Sequence, residues 1–226
     1  MSRARNYFAW LHRVVSRELG RRVVEVGCGV GNFTETLLDR EAVIAVDNDE
    51  DCLDRVRDRF PNRPNLHVLS GDVSDGAFLE VARFHPDSCV CLNTLEHVED
   101  DAQALRNMAS VLTPGGVVVL LVPAFPALYG PIDRNLGHWR RYRRRGLDQL
   151  ADAAGLRLRR ACYVNLAGFF GWWMNARILQ RDTQSARQIA FFDRFIVPLM
   201  SRVESAIPPP FGQSLLAVME EAEKPA

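Results

Sequence analysis

The stretch Val23-Val24-Glu25-Val26-Gly27-Cys28-Gly29-Val30-Gly31-Asn32-Phe33 decides how this chain is read. A β-branched run surrounds an acid, three alternate glycines follow, and residues 33–39 have helical character. The pattern predicts a first strand, a tight turn and a first helix. Glycine lacks Cβ, so the backbone can turn sharply and a ligand can lie against it. Amides at the following helix N-terminus would face that ligand. A dinucleotide-binding G-x-G-x-x-G turn would put its third glycine where this chain has Asn32. Glu25, two residues before the first glycine, is an addition to that pattern. A carboxylate there can accept hydrogen bonds from a cationic amino-acid moiety, which a pyrophosphate lacks.

Further strands follow in order. Residues 42–46 are a β-branched run ending at Asp47, twenty residues after Gly27. A carboxylate at the end of a second strand can take both ribose hydroxyls of an adenosine, whether the cofactor is NAD or another adenosine compound. Residues 66–69 are a short strand leading into Gly71-Asp72-Val73, where Asp72 reads either as an Asx-turn or as a ligand to a base. Residues 88–92 are a fourth strand, followed by Asn93-Thr94-Leu95-Glu96-His97-Val98. An amphipathic helix over 99–112 ends at Thr113-Pro114-Gly115-Gly116. Val117 to Val122 is apolar throughout, the mark of a strand buried on both faces.

The set E-x-G-x-G-x-G, terminal Asp47, G-D-V, N-T-L-E-H-V and L-T-P-G-G, in this order across residues 23–122, resembles class I S-adenosylmethionine (SAM)-dependent methyltransferases. N-T-L-E-H-V is closest to the small-molecule type, including the ubiquinone-pathway O-methyltransferase group. The resemblance implies an α/β, Rossmann-like, doubly wound and mostly parallel seven-stranded sheet with helices on both faces. It implies SAM as cofactor and S-adenosylhomocysteine as product. Carried onto this chain, the cofactor-binding set is Tyr7, Glu25, Gly27, Cys28, Gly29, Gly31, Asp47, Asn48, Asp72, Val73, Asn93 and Thr94. Tyr7 enters because the first helix, expected over residues 5–19, covers the cofactor in many members. In the same frame the loop at 93–98 runs beside the sulfonium, which puts His97 near the reactive methyl. A histidine that only shapes that loop is the competing reading.

The acceptor side is less specific. A proline-rich apolar loop over 123–131 precedes Asp133-Arg134-Asn135-Leu136-Gly137-His138-Trp139-Arg140-Arg141-Tyr142. A G-H-x-R-x-Y stretch recurs here in one group of these methyltransferases. His138 is the candidate general base, since imidazole can be neutral near pH 7. Tyr142 and Asp133 are its candidate orienting partners, and Tyr142 joins His138 and His97 in the catalytic set. A hydrogen bond that staples the loop competes for His138. The arginines between 134 and 145 read as a solvated segment, an anion-recognition site or an anionic-membrane contact.

Residues 156–164 read as strand six and 213–219 as the last strand. Between them, residues 166–206 form an aromatic-rich helical insert or lid, expected as two helices around a polar interval at 180–188. Arg177, Arg181, Arg187 and Arg194 interleave with its apolar residues, which suits a membrane-surface helix. Burial on the sheet or a homodimer contact is equally open.

The whole chain, 1–226, reads as one domain. Its 47% hydrophobic and 25% charged residues are ordinary for a globular protein, and a formal net charge of zero gives no global field for nucleic acid. No signal peptide or membrane span is expected, and the odd set of five cysteines suits reduced thiols in the cytoplasm. No metal site is expected. Peripheral membrane attachment through residues 166–206 is a further expectation. The function expected is methyl transfer from SAM to a hydroxyl or amine of a hydrophobic small molecule or lipid-linked metabolite. The alternatives are an NAD-dependent oxidoreductase and a non-catalytic SAM-fold binding protein.

Overall fold

A computed structural model describes residues 4–175 and 186–222. Seven strands form one sheet: β1 (Arg22–Val26), β2 (Ala42–Asp47), β3 (Leu66–Ser70), β4 (Ser88–Leu92), β5 (Val117–Pro123), β6 (Leu156–Val164) and β7 (Ser214–Glu221). Their order is β3-β2-β1-β4-β5-β7-β6. The first five pair in parallel, and β7 enters antiparallel between β5 and β6. The order therefore reverses between β1 and β4. In open α/β sheets that reversal opens a crevice at the carboxyl ends of the strands.

The central strands are buried on both faces because helices cover both. Val118 to Val122 of β5 are fully buried, as the unbroken apolar run requires. At roughly 1.5–3 kcal/mol for each fully buried aliphatic side chain, this strand anchors the fold. On one face α3 (Asp101–Ser110) brings Leu105 and Met108 onto β5, and α5 (Arg144–Ala153) brings Leu147 onto β6 and β7. On the other, α1 (Arg5–Val15) packs Trp10, Leu11 and Val15 against Val119, Leu121 and Leu216. α2 (Glu50–Arg59) covers β2 with Leu53 and Val56, its N-terminus capped by the Asp49 carboxylate. The remaining α-helices among the described residues are α4 (Pro131–Asn135), α6 (Leu166–Trp173), α7 (Ala186–Phe191) and α8 (Val197–Ala206).

Several expectations are revised. The segment after the glycine turn is a single 3-10 turn, Thr34–Leu37, and not a regular helix. The Thr34 hydroxyl is given to Glu25 at 2.6 Å and the Thr36 hydroxyl to the Phe33 carbonyl at 2.8 Å. Such side-chain bonds compete with helical backbone pairing. The turn thus offers no helix N-terminus to a ligand. α1 ends at Val15, short of residue 19. Between β6 and β7 the structure places α6 and then one continuous helical run in which α7 and α8 are joined by a π turn, Phe192–Ile196. Residues 180–185 of the polar interval, Arg177, Arg181, and the ends at 1–3 and 223–226 lie outside the described residues. Among the described residues, no helix is long and apolar enough to cross a membrane.

Candidate active site

The crevice at the strand reversal holds a cavity of about 790 Å³, within the range of roughly 300–1,000 Å³ usual for small-molecule sites. Four strands contribute their carboxyl ends: Gly27 after β1, Asp47 of β2 with Asn48 just beyond it, Asp72 and Val73 after β3, and Asn93 and Thr94 after β4. His97 and Trp139 line the same space.

The three glycines divide their work. A Cβ on Gly27 (φ +74°) would lie 2.1 Å from Thr94 Oγ1, and one on Gly31 (φ +77°) 2.8 Å from the Phe60 ring. Both make room for the protein itself. Only Gly29 (φ +51°) has nothing within 4 Å of where its Cβ would sit. Its amide donates to Asp47 Oδ2 at 2.7 Å, tying the glycine loop to the end of β2. Asp47 Oδ1 accepts from the Asp49 amide at 3.0 Å. Asp72 forms the Asx-turn that its sequence allows, taking the Ser74 amide and hydroxyl at 2.8 and 2.6 Å, and still lines the cavity.

Glu25 and Cys28 are buried. Burial pushes the Glu25 carboxyl up to about 8, opposed by the bond from Thr34 and reinforced by Asp47. Burial also raises the Cys28 thiol, so it is inert as a nucleophile. Tyr7 reaches Asn93 and Ser214 with its hydroxyl and is raised to about 12, chiefly by burial. It stands behind the cavity wall at the ends of β4 and β7, and is not itself among the cavity's lining residues.

These features fit SAM. Asp47 stands where adenosine hydroxyls are taken, Asp72 and Val73 pair a carboxylate with an apolar surface for a base, and the space beside Gly29 is clear. Glu25 is buried and is not itself among the cavity's lining residues.

The acceptor side is built by the loop after α4. His138 Nδ1 lies 2.9 Å from Asp133 Oδ1, and Arg141 Nε donates to the same oxygen at 2.8 Å. Burial alone would raise Asp133, but the bonds from His138, Arg141 and the Gly130 amide outweigh it and hold the carboxyl below its ordinary value. The His138 ring meets His97 edge-on, centroids 4.7 Å apart. Burial, then the neighbouring His138, lowers the His97 imidazole, while a bond to the Gly137 backbone resists. Tyr142 does not join this group. Its hydroxyl donates to Asp101 Oδ2 at 2.9 Å, and burial plus that carboxylate raise it far out of the working range. The part expected of either Tyr142 or Asp133 is therefore geometrically Asp133's.

Glu96 and Arg141 were not singled out from sequence. Glu96 is buried, its Oε2 has no hydrogen-bond partner among the described residues, and burial raises it to about 8. Its signal was its place beside His97. The ligand atoms of Glu96, His97 and His138 lie within 4.8 Å of one another, close enough for a divalent ion to draw together. The Arg141 guanidinium, which acts on Glu96 electrostatically, opposes a further positive charge there. Arg141 is buried over the Trp172 ring at 4.5 Å.

Residues with left-handed backbone follow three strands in turn: Asn93 (φ +52°) after β4, Phe125 (φ +60°) after β5 and Asn165 (φ +65°) after β6. Such angles cost about 1–2 kcal/mol for a non-glycine residue and concentrate at functional sites. Phe125 is held there by stacking on Tyr163 at 5.0 Å and by edge contact with Phe169. Phe211 and Phe170 extend this aromatic group.

Comparison with known proteins identifies the family. The family model described as "Methyltransferase domain" matches residues 2–161. A protein of Mycolicibacterium smegmatis described as a probable S-adenosylmethionine-dependent methyltransferase is 32% identical over 124 residues, covering 52% of this chain and 46% of that protein. Trans-aconitate 2-methyltransferase of Acidovorax sp. is 32% identical over 112 residues, covering 48% and 41%. The chain thus spans about half or less of the length of these curated relatives. A crystal structure of an S-adenosylmethionine-dependent methyltransferase from Mesorhizobium loti superimposes with a TM-score of 0.64 at 16% identity, covering 96% of this chain and 100% of that one. That likeness speaks for the fold alone.

Proposed function

The chain belongs to the class I SAM-dependent methyltransferases, and from that premise we propose that it methylates a hydroxyl or amine of a hydrophobic small molecule or lipid-linked metabolite. The observation that carries this reading is the Asp133–His138 pair, set against His97 at the edge of the cavity.

Asp47 and Asn48 would hold the ribose, Asp72 and Val73 the adenine, and Glu25 the amino-acid end of SAM. When bound, SAM supplies an electrophilic methyl group on a sulfonium, whose departure needs no acid. The chain must therefore align the acceptor and take its proton. Alignment alone can supply on the order of 7–11 kcal/mol. With Nδ1 engaged by Asp133, His138 keeps Nε2 as its free ring nitrogen. An ionised Asp133 fixes that tautomer and steadies the imidazolium formed when His138 accepts a proton. General-base help of this kind is worth about 10²–10⁴-fold for a hydroxyl. For an amine, the same histidine keeps the acceptor neutral. Phe125, Tyr163, Phe169 and Phe211, at the carboxyl ends of β5 and β6, offer an apolar surface for the rest of the acceptor. Family membership sets aside the NAD-dependent reading.

The test gives the protein methyl-labelled SAM and an extract of its host, then partitions the products between organic solvent and water. Label in the organic phase is expected. Label confined to water overturns the hydrophobic acceptor. SAM binding with no label in either phase favours the non-catalytic alternative.

A further inference from the structure

The helical run 186–206 turns its apolar side outward. Phe191, Phe195, Leu199, Val203 and Ile207 recur every four residues and are 59%, 56%, 60%, 46% and 72% exposed. At 1.5 Å per residue they make a stripe about 24 Å long. A water-facing helix normally shows the opposite pattern. The inward side is occupied by Asp193, Val197, Ser201 and Glu204, all buried.

The charges are sorted in the same sense. Both acids of the run are used inside the protein. Asp193 accepts from the Tyr7 amide at 2.9 Å and from Asn6, and Glu204 accepts from the Asn165 and Leu166 amides at 2.8 and 2.9 Å. Among the described residues of this run, the exposed charges are Arg187, Arg194 and Arg202, all positive. Arg194 lies over the Phe195 ring at 5.4 Å, and Phe191 packs on Phe195 at 5.1 Å. The chain's net charge is zero, so this basic edge is a local choice. An apolar stripe edged only by arginines matches an anionic lipid surface: acyl chains take the stripe and phosphates take the guanidiniums. A second copy packed symmetrically on the stripe would bring the same arginines together.

We propose that residues 186–207 dock the protein on the surface of an anionic bilayer. The helix would lie in the headgroup plane and would not cross. The docked helix connects to the candidate active site, since Asp193 holds the Tyr7 amide and the Tyr7 hydroxyl meets Asn93 on the cavity wall. Docking does not depend on the identity of the acceptor.

The test is sedimentation of the full chain with vesicles of phosphatidylcholine, with and without roughly a third phosphatidylglycerol, with SAM affinity measured on the same samples. Binding to the anionic vesicles is expected, weakening as salt is raised. Phe195→Glu combined with Leu199→Glu, both at exposed positions, should cut partitioning at least about tenfold with SAM affinity kept. Arg194→Glu with Arg202→Glu should abolish the preference for anionic lipid. Absence of vesicle binding at low salt overturns the proposal, as does partitioning unaffected by the Phe195/Leu199 variant. So does a dimer, seen by sedimentation velocity, that the same variant dissociates while vesicles do not bind. Loss of SAM binding in the wild type would instead strike the methyltransferase reading and leave docking untouched.

Discussion

The side chain of Thr94 occupies the space a Cβ on Gly27 would need, with Oγ1 2.1 Å from that point. The turn after β1 and the loop after β4 are thus locked together across the strand reversal, and the cavity is framed by this contact. Gly27→Ala adds the overlap, about 1–3 kcal/mol, to the strain of φ +74°, about 1–2 kcal/mol. A loss of about 2–5 kcal/mol in denaturant unfolding is expected. Adding Thr94→Ala should restore only part, because the Thr94 Cβ is itself 2.7 Å away.

Gly29 is expected to behave differently. Nothing stands within 4 Å of its missing side chain, so Gly29→Val should fold with only the backbone strain of φ +51°. Calorimetry should then show SAM affinity lost by more than about a hundredfold, since the side chain would fill space against which a ligand lies. Wild-type affinity in this variant would remove the glycine loop from the cofactor site.

His138→Ala should lower kcat by about 10²–10⁴-fold for a hydroxyl acceptor, with SAM affinity unchanged. Tyr142→Phe should leave kcat near wild type, because its hydroxyl serves Asp101. A variant pair that reverses this order would hand the catalytic part to Tyr142.

Asp133→Ala should be costly to the fold. It strips a buried guanidinium, Arg141, of its carboxylate, and breaking such a pair costs about 3–5 kcal/mol. Chemical denaturation of Asp133→Ala against His138→Ala separates the two roles: the first should unfold at much lower denaturant, the second close to wild type.

Glu25 sets a pH dependence of stability. Its buried carboxyl titrates near 8 against an ordinary value of 4.5. Between those values the unfolded chain has lost this proton and the folded chain keeps it. Stability is therefore fully present below about 4.5 and falls as pH rises towards 8, by up to about 1.4 kcal/mol per pH unit. Glu96, raised to about 8 by burial, acts in the same sense. Unfolding curves across this range should show a shallower decline in Glu25→Gln than in the wild type. Equal slopes would mean that Glu25 is ionised in the folded protein.

Much of the fold was legible because its determinants are local. The apolar run of β5, the glycine turn after β1 and the terminal Asp47 each announce themselves within a few residues, and the strands stand where periodicity places them. The 3-10 turn at Thr34–Leu37 was not legible, since Thr34 leaves the helical pattern to satisfy Glu25, nine positions back and buried. Nor was the division of labour among the glycines. Gly27 answers to Thr94 and Gly31 to Phe60, partners that only the folded sheet brings near.

The acceptor side shows the same boundary. His138 stood out from sequence by residue type, but its partner could have been Tyr142 or Asp133. The choice was made by the path of the loop after α4, which carries Tyr142 to Asp101 and brings the His138 imidazole back onto Asp133 of α4. The sequence by itself determined the strands and the glycine turn, because these rest on local pattern, and its resemblance to class I methyltransferases carried the cofactor class and pointed to the histidine worth testing. The tertiary structure decided which carboxylate orients that histidine, which acids are buried enough to hold protons near pH 8, and which side of residues 186–207 faces outward. These depend on desolvation and on contacts between residues far apart in the chain, and neither is encoded in local pattern.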